Sequence, residues 1–384
     1  MGQPLIAEEL IAEARGRTGL EHFDSDSYRE GLDRLIDEIN GGEPRPASAI
    51  DRLRGLFVKQ LTDRLKVAAY LAERPELLER PIERPLFVFG VPRTGTTLLN
   101  NLLAADPARR SPLQWELDEP VPPATTATLK TDPRALAALE RERQMLAARP
   151  EMGRTYRASA IYPHEDVYIL AHDFKTLMLE SRGKLSGYRD WLLSTDVTSA
   201  YEYHKTFLQM LQADAPGTWN CKMPSHALFL DTLIKVYPDA RLIWTHRDPY
   251  TATASLCSLH AMSHGAFQGN VDHDWIGRNC AYQTAEHADR VMDFRDQYGE
   301  DRVIDVYYSD LVDDPMATMR ELYANLGDVL TPEAEAAMQA WIDDNPQNKF
   351  GKHEYKLAQY GLSVETLAPQ FERYLSRYDV TLEG

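Results

Sequence analysis

Cysteine is scarce: Cys221, Cys257 and Cys280 are the only three in 384 residues. An odd number with no C-x-x-C pair excludes a disulfide framework and a zinc or haem motif, and fits reduced thiols in a cytoplasmic protein. Long apolar runs are also lacking. The most prominent, Leu86 to Val91, falls far short of the ~20 residues that cross a bilayer. The opening stretch MGQPLIAEEL carries acids where a signal peptide needs basic residues, and Ile6 stands where a myristoylation motif wants Ser or Thr. The expectation is a cytoplasmic chain with no transmembrane segment. Positive charge is in deficit too, with 42 Lys+Arg against 59 Asp+Glu and a net charge of −17. That field repels nucleic acid and acidic membranes, so an anionic ligand would need a local cluster of cations and N–H donors. The histidines are read as offering no paired metal spacing on a shared face, and no metal is assigned.

Residues 1–84 read as a helical extension. Leu5, Ile6, Leu10 and Ile11 recur at helical spacing, as do Leu32, Leu35, Ile36 and Ile39, with a break at GGEPRPAS (41–48). From Pro85 the character changes. LFVFG (86–90), TWNCK (218–222), RLIWT (241–245) and VIDVYY (303–308) are short runs suited to buried strands. Helical patterns lie between them, among them TTLLNNLLAAD (96–106) and the face of Tyr203, Phe207, Met210 and Leu211. Alternation of this kind predicts an α/β fold: a P-loop-type parallel sheet with helices on both faces, over 85–384.

GVPRTGTT (90–97) sits between a strand and a helix and nearly satisfies the Walker A pattern, with Gly90 and Gly95 correctly spaced. Such a turn points backbone N–H groups and a helix N-terminus at one phosphate or sulfate. Thr96 replaces the usual lysine, and the nearest cation is Arg93, inside the loop. That departure weakens a metal-dependent kinase, because the lysine normally reaches the β- and γ-phosphates. A non-catalytic nucleotide-binding module of the same fold remains the other alternative.

The segment PRTGTTLL resembles the 5′-phosphosulfate loop of sulfotransferases that use 3′-phosphoadenosine 5′-phosphosulfate (PAPS). The resemblance implies that Arg93 is the catalytic cation and that Thr94, Gly95, Thr96 and Thr97 supply donors. RLIWTHRDPYTATASL (241–256) is similar to the family's second motif, with Arg247 and Ser255 eight residues apart, a pair that grips the 3′-phosphate in that family. The planar fork of arginine suits that task. By the same resemblance, Lys349, Gly351 and Lys352 belong to a basic loop that closes over the cofactor, and Lys222 matches a K-x-P that contacts sulfate oxygens. The similarity runs over roughly 85–380 and is nearest to the bacterial branch akin to tyrosylprotein and carbohydrate enzymes.

Sulfuryl transfer in line to an acceptor hydroxyl also needs a base. Glu116 and His226 are the leading candidates: family placement favours the first, and the near-neutral ordinary pKa of imidazole favours the second. Glu116 ranks slightly ahead, and Glu165 is third. Tyr156, Tyr162, Tyr168, Trp191 and Met262 are candidate pocket residues for a small-molecule, lipid or glycan alcohol.

Overall fold

The computed structural model describes residues 2–148, 159–345 and 356–383. Three helices open the chain: α1 (Ala7–Thr18), α2 (Tyr28–Gly41) and α3 (Ala47–Glu73). α1 ends where Gly19 turns left-handed at φ 69°, and its N–H bonds the carbonyl of Arg15. The break expected at 41–48 is the short link between α2 and α3.

The sheet strands are β1 (Leu86–Gly90), β2 (Arg109–Arg110), β3 (Thr218–Lys222), β4 (Arg241–His246) and β5 (Val303–Tyr307). All pair in parallel, in the order β2-β3-β1-β4-β5. β1 is buried throughout. Its side chains alternate between two apolar clusters, Phe87 and Phe89 on one face, Leu86 and Val88 on the other. β4 divides in the same way, with Leu242 and Trp244 opposite Ile243. Helix α4 (Thr96–Ala105) covers the second face with Leu99, Leu102 and Leu103. The helix Thr198–Leu211 and the apolar sides of α1, α2 and α3 cover the first. The fold is the parallel α/β sheet with helices on both faces that the alternating pattern implied.

Two elements differ from the sequence reading. β2 is a two-residue edge of arginines with no apolar signal. The side chain of Arg109 is buried, and Tyr323 and Asp328 accept its hydrogen bonds at 2.9 and 2.7 Å. The helix His273–Tyr298 had no clear apolar stripe, because its buried side includes Asn279, Gln283, Thr284 and His287. Asn279 and Gln283 donate to the buried carboxylate of Glu180, at 2.8 and 2.9 Å.

α3 is fixed to its surroundings through Arg64, whose side chain is 1% exposed. Its guanidinium donates to Asp24 at 2.6 Å and to Asp173, also at 2.6 Å, and lies against the rings of Tyr28 and Tyr203. Removing one partner of a buried pair costs far more than the pair contributes, because the remaining charge stays desolvated. Arg64→Ala is therefore expected to lower unfolding free energy by about 3 kcal/mol in urea titrations. A loss below about 1 kcal/mol would place this cluster among weak surface pairs.

Candidate active site

The loop after β1 is shaped by close approach. A Cβ on Gly90 would stand 2.7 Å from the carbonyl oxygen of Thr245 on β4, so the two backbones meet there. The Thr94 hydroxyl, fully buried, donates to the Val91 carbonyl at 2.8 Å and lies 2.5 Å from the Thr245 hydroxyl. Its side chain thus braces the loop. Arg93 takes φ 77°, a left-handed conformation that costs a non-glycine residue free energy and is held by these contacts. Gly95 follows at φ 91°, where a Cβ would lie 2.7 Å from Cδ2 of Tyr308. Thr96 then begins α4, whose N-terminus has no side-chain cap. Its first-turn N–H groups stay open to an anion.

Cations from distant parts of the sequence gather at this loop. Arg93 Nε donates to Ser255 Oγ at 3.1 Å, and Arg247 Nη1 donates to the Arg93 carbonyl at 2.9 Å. Arg247 lies 4.1 Å above the Tyr308 ring. Behind it, Asp248 caps the helix Pro249–Phe267 by accepting the Tyr250 N–H at 2.8 Å. Lys222, at the end of β3, donates to Thr97 Oγ1 at 3.4 Å and to Glu165 Oε1 at 2.7 Å. Burial pushes the Glu165 carboxyl up, but the charges of Lys222 and Arg93 outweigh it and hold the group below the ordinary carboxylate value. The arrangement offers N–H donors and three cations to a phosphate-like group, with a carboxylate beside them.

The other two base candidates are engaged inside the protein. Glu116 is 1% exposed; Arg110 donates to one of its oxygens and the Leu113 N–H to the other at 3.1 Å. His226 is fully buried, with Nδ1 2.8 Å from the Tyr201 hydroxyl and Nε2 3.1 Å from Asp166. Burial holds its pKa below the ordinary value. Glu165 keeps 30% of its side chain exposed and is joined to the loop through Lys222. Lys349, Gly351, Lys352 and Tyr156 lie outside the described residues.

Residues 85–332 match the Sulfotransferase family. The chain belongs to that family. The sulfotransferase is 43% identical to the crystal structure of STF9 from Mycobacterium avium, with 98% of each chain covered and a TM-score of 0.93. STF1 from Mycobacterium tuberculosis is 30% identical, covering 97% of this chain and 99% of that one at a TM-score of 0.86. Among curated proteins it is similar to omega-hydroxy-beta-dihydromenaquinone-9 sulfotransferase Stf3 of Mycobacterium bovis, 25% identical over 74% of this chain and 71% of that protein. It is therefore an enzyme of sulfuryl transfer, and the kinase and binding-module alternatives are not favoured.

Sequence reasoning missed Tyr308, the last residue of the strand run VIDVYY, which both packs on Gly95 and stacks on Arg247. It also understated histidine pairing. His260 and His264 share a face of the helix Pro249–Phe267, with ring centroids 6.4 Å apart. Asp166, His204 and Cys221 bring potential ligand atoms within 4.8 Å of one another in the core. Tyr168 packs edge-on against His164, beside Glu165, whereas the Trp191 indole donates to Glu30 on α2.

Because Gly95 is both left-handed and in contact with Tyr308, Gly95→Ala should cost about 1–3 kcal/mol of stability and displace that ring. Thermal melts and turnover measure this. Unchanged melting together with unchanged activity would mean the loop tolerates a Cβ there.

Proposed function

We propose that the sulfotransferase moves the sulfuryl group of PAPS to the hydroxyl of a small-molecule or lipid alcohol, by in-line displacement, without a metal and in the cytoplasm. The observation that carries this reading is the meeting of Arg93 with Arg247 and Ser255, partners 154 and 162 residues away in sequence. A site for one phosphate-like group beside a second arginine suits a donor with phosphates at both the 5′ and 3′ positions. The buried free thiols Cys221, Cys257 and Cys280 support a reducing compartment. One relative is named for a hydroxylated menaquinone, which supports a lipid alcohol as acceptor. Residues 1–84 serve, in this reading, as a helical extension packed on the domain 85–384; Leu10, Leu32 and Leu61 share an apolar cluster with Phe87 and Trp244.

The donor supplies the sulfuryl group and the leaving phosphate. The N-terminal N–H groups of α4, with Thr96 and Thr97, bind its anionic end. Arg93 and Lys222 stabilise negative charge that grows on the departing oxygen. Arg247 and Ser255 hold the 3′-phosphate.

Glu165 is the base in this reading, in preference to Glu116 and His226, because it is the candidate that is partly exposed and tied to the loop. Its lowered pKa keeps it ionised at neutral pH but weakens it as a base. The largest cause of that depression is Lys222. As Lys222 turns toward an anionic donor, the carboxyl rises toward the value its burial favours and gains basicity when the acceptor must lose its proton.

Calorimetry tests the donor: 3′,5′-adenosine bisphosphate should bind without magnesium and ATP weakly. Labelled PAPS supplied with separated lipid and aqueous extracts tests the acceptor class. For the base, Glu165→Gln should lower kcat by about 10²–10⁴ with donor affinity nearly unchanged. Retained turnover in Glu165→Gln, with loss in folded Glu116→Gln or His226→Asn, would return the role to those residues. A pH profile adds an independent check. kcat should fall as acid protonates Glu165, and Lys222→Met, which removes the largest opposition to burial, should move that limb to higher pH.

A further inference from the structure

Arg247 has a partner within its own chain. After the helix Val364–Arg377 the backbone returns to the loop, and Arg247 donates from Nε to one oxygen of Glu383 and from Nη2 to the other at 2.7 Å. The Glu383 N–H in turn donates to Asp248 Oδ2 at 3.0 Å. The segment is thus fastened at two points to the Arg247–Asp248 dipeptide, and its carboxylate takes the paired N–H groups of the guanidinium. A planar fork meets a phosphate and a carboxylate through the same two donors, so one face of Arg247 cannot hold both. The opposite edge of the guanidinium is partly engaged, because Nη1 donates to the Arg93 carbonyl at 2.9 Å, and the Tyr308 ring lies against one face at 4.1 Å. The Glu383 side chain is 35% exposed, so it can leave for water without stranding a buried charge.

We propose that Glu383 is an internal competitor of the donor's 3′-phosphate, a latch on Arg247 that opens when donor binds and recloses as 3′,5′-adenosine bisphosphate departs. This rests on the reading of Arg247 as the 3′-phosphate residue. No bond is made or broken: a carboxylate is exchanged for a phosphate on one guanidinium. A latch of this kind multiplies apparent affinity by the fraction of molecules in which it is open, so the apparent dissociation constant rises. It also gives the product a competitor at the moment of release, which favours turnover where release is slow.

Calorimetry on the full chain decides the matter, with 3′,5′-adenosine bisphosphate and adenosine 5′-phosphate as probes. Glu383→Ala should bind the bisphosphate about three- to tenfold tighter, and adenosine 5′-phosphate no differently from wild type. Glu383→Gln should show the same trend, with unchanged melting temperature in both. Arg247→Ala should weaken the bisphosphate alone, and adding Glu383→Ala to it should then change nothing. Equal or weaker bisphosphate binding in Glu383→Ala, with Arg247→Ala still selective for that ligand, would overturn the latch and leave the reading of Arg247 intact. Should Arg247→Ala weaken both probes alike, the reading of Arg247 fails and the latch fails with it.

Discussion

The approach of β1 to β4 is the constraint on which the site depends. The two strands pair along their whole length, from Leu86 with Arg241 to Gly90 with Thr245. The chain leaves β1 toward β2 and β3 on one side of the sheet, while β4 and β5 lie on the other. The turns after β1 and β4 therefore diverge at the carboxyl edge, and the crevice between them is where open α/β sheets bind ligands. Gly90 allows the two backbones to touch there, and the Thr94–Thr245 hydroxyl contact holds the loop in place. Arg93 can be kept in a costly backbone conformation because the loop beneath it cannot relax.

That frame also resolves an electrostatic difficulty. A chain with a net charge of −17 does not attract a polyanionic donor at long range. Attraction must be local, and at short range a few fixed cations and open N–H groups outweigh a diffuse field screened within ~8 Å. Each cation at the crevice has an interim partner. Lys222 pairs with Glu165, Arg247 with Glu383, and Arg93 donates to Ser255. Without such partners, clustered positive charges would repel one another and splay. With them, donor binding in the reading proposed above is an exchange of partners on side chains already held in place.

The parts of this arrangement that were legible in the sequence are those written in local pattern. The run LFVFG and the loop GVPRTGTT each lie within a few residues, so composition and order sufficed, whereas the pair Arg247 and Ser255 was reached through a family resemblance. The helix His273–Tyr298 was not legible because its buried face is partly polar and satisfied by a distant acid, Glu180. β2 escaped for a similar reason: the side chain of Arg109 is bonded by partners more than 100 residues away in sequence. Glu383 carries no motif at all, and its pairing with Arg247 exists only once the chain has folded.

The three base candidates differ in how the fold engages them, and residue type alone does not reveal that difference. Glu116 was preferred on placement and His226 on its ordinary pKa, yet both are polar groups whose capacity is consumed inside the fold. Glu116 closes the turn at Leu113 and neutralises buried Arg110. His226 bridges Tyr201 to Asp166, an acid that also faces His204 at 3.8 Å. Such networks are costly to disturb because every unpaired member would stay desolvated, and that cost ties them to structure. A base has the opposite requirement: it needs a lone pair that the fold leaves open and a charge that can change without unfolding the protein. In the reading proposed above Glu165 meets both conditions: among the described residues its side chain hydrogen-bonds only Lys222, which itself reaches the phosphate loop, and 30% of that side chain remains open to solvent.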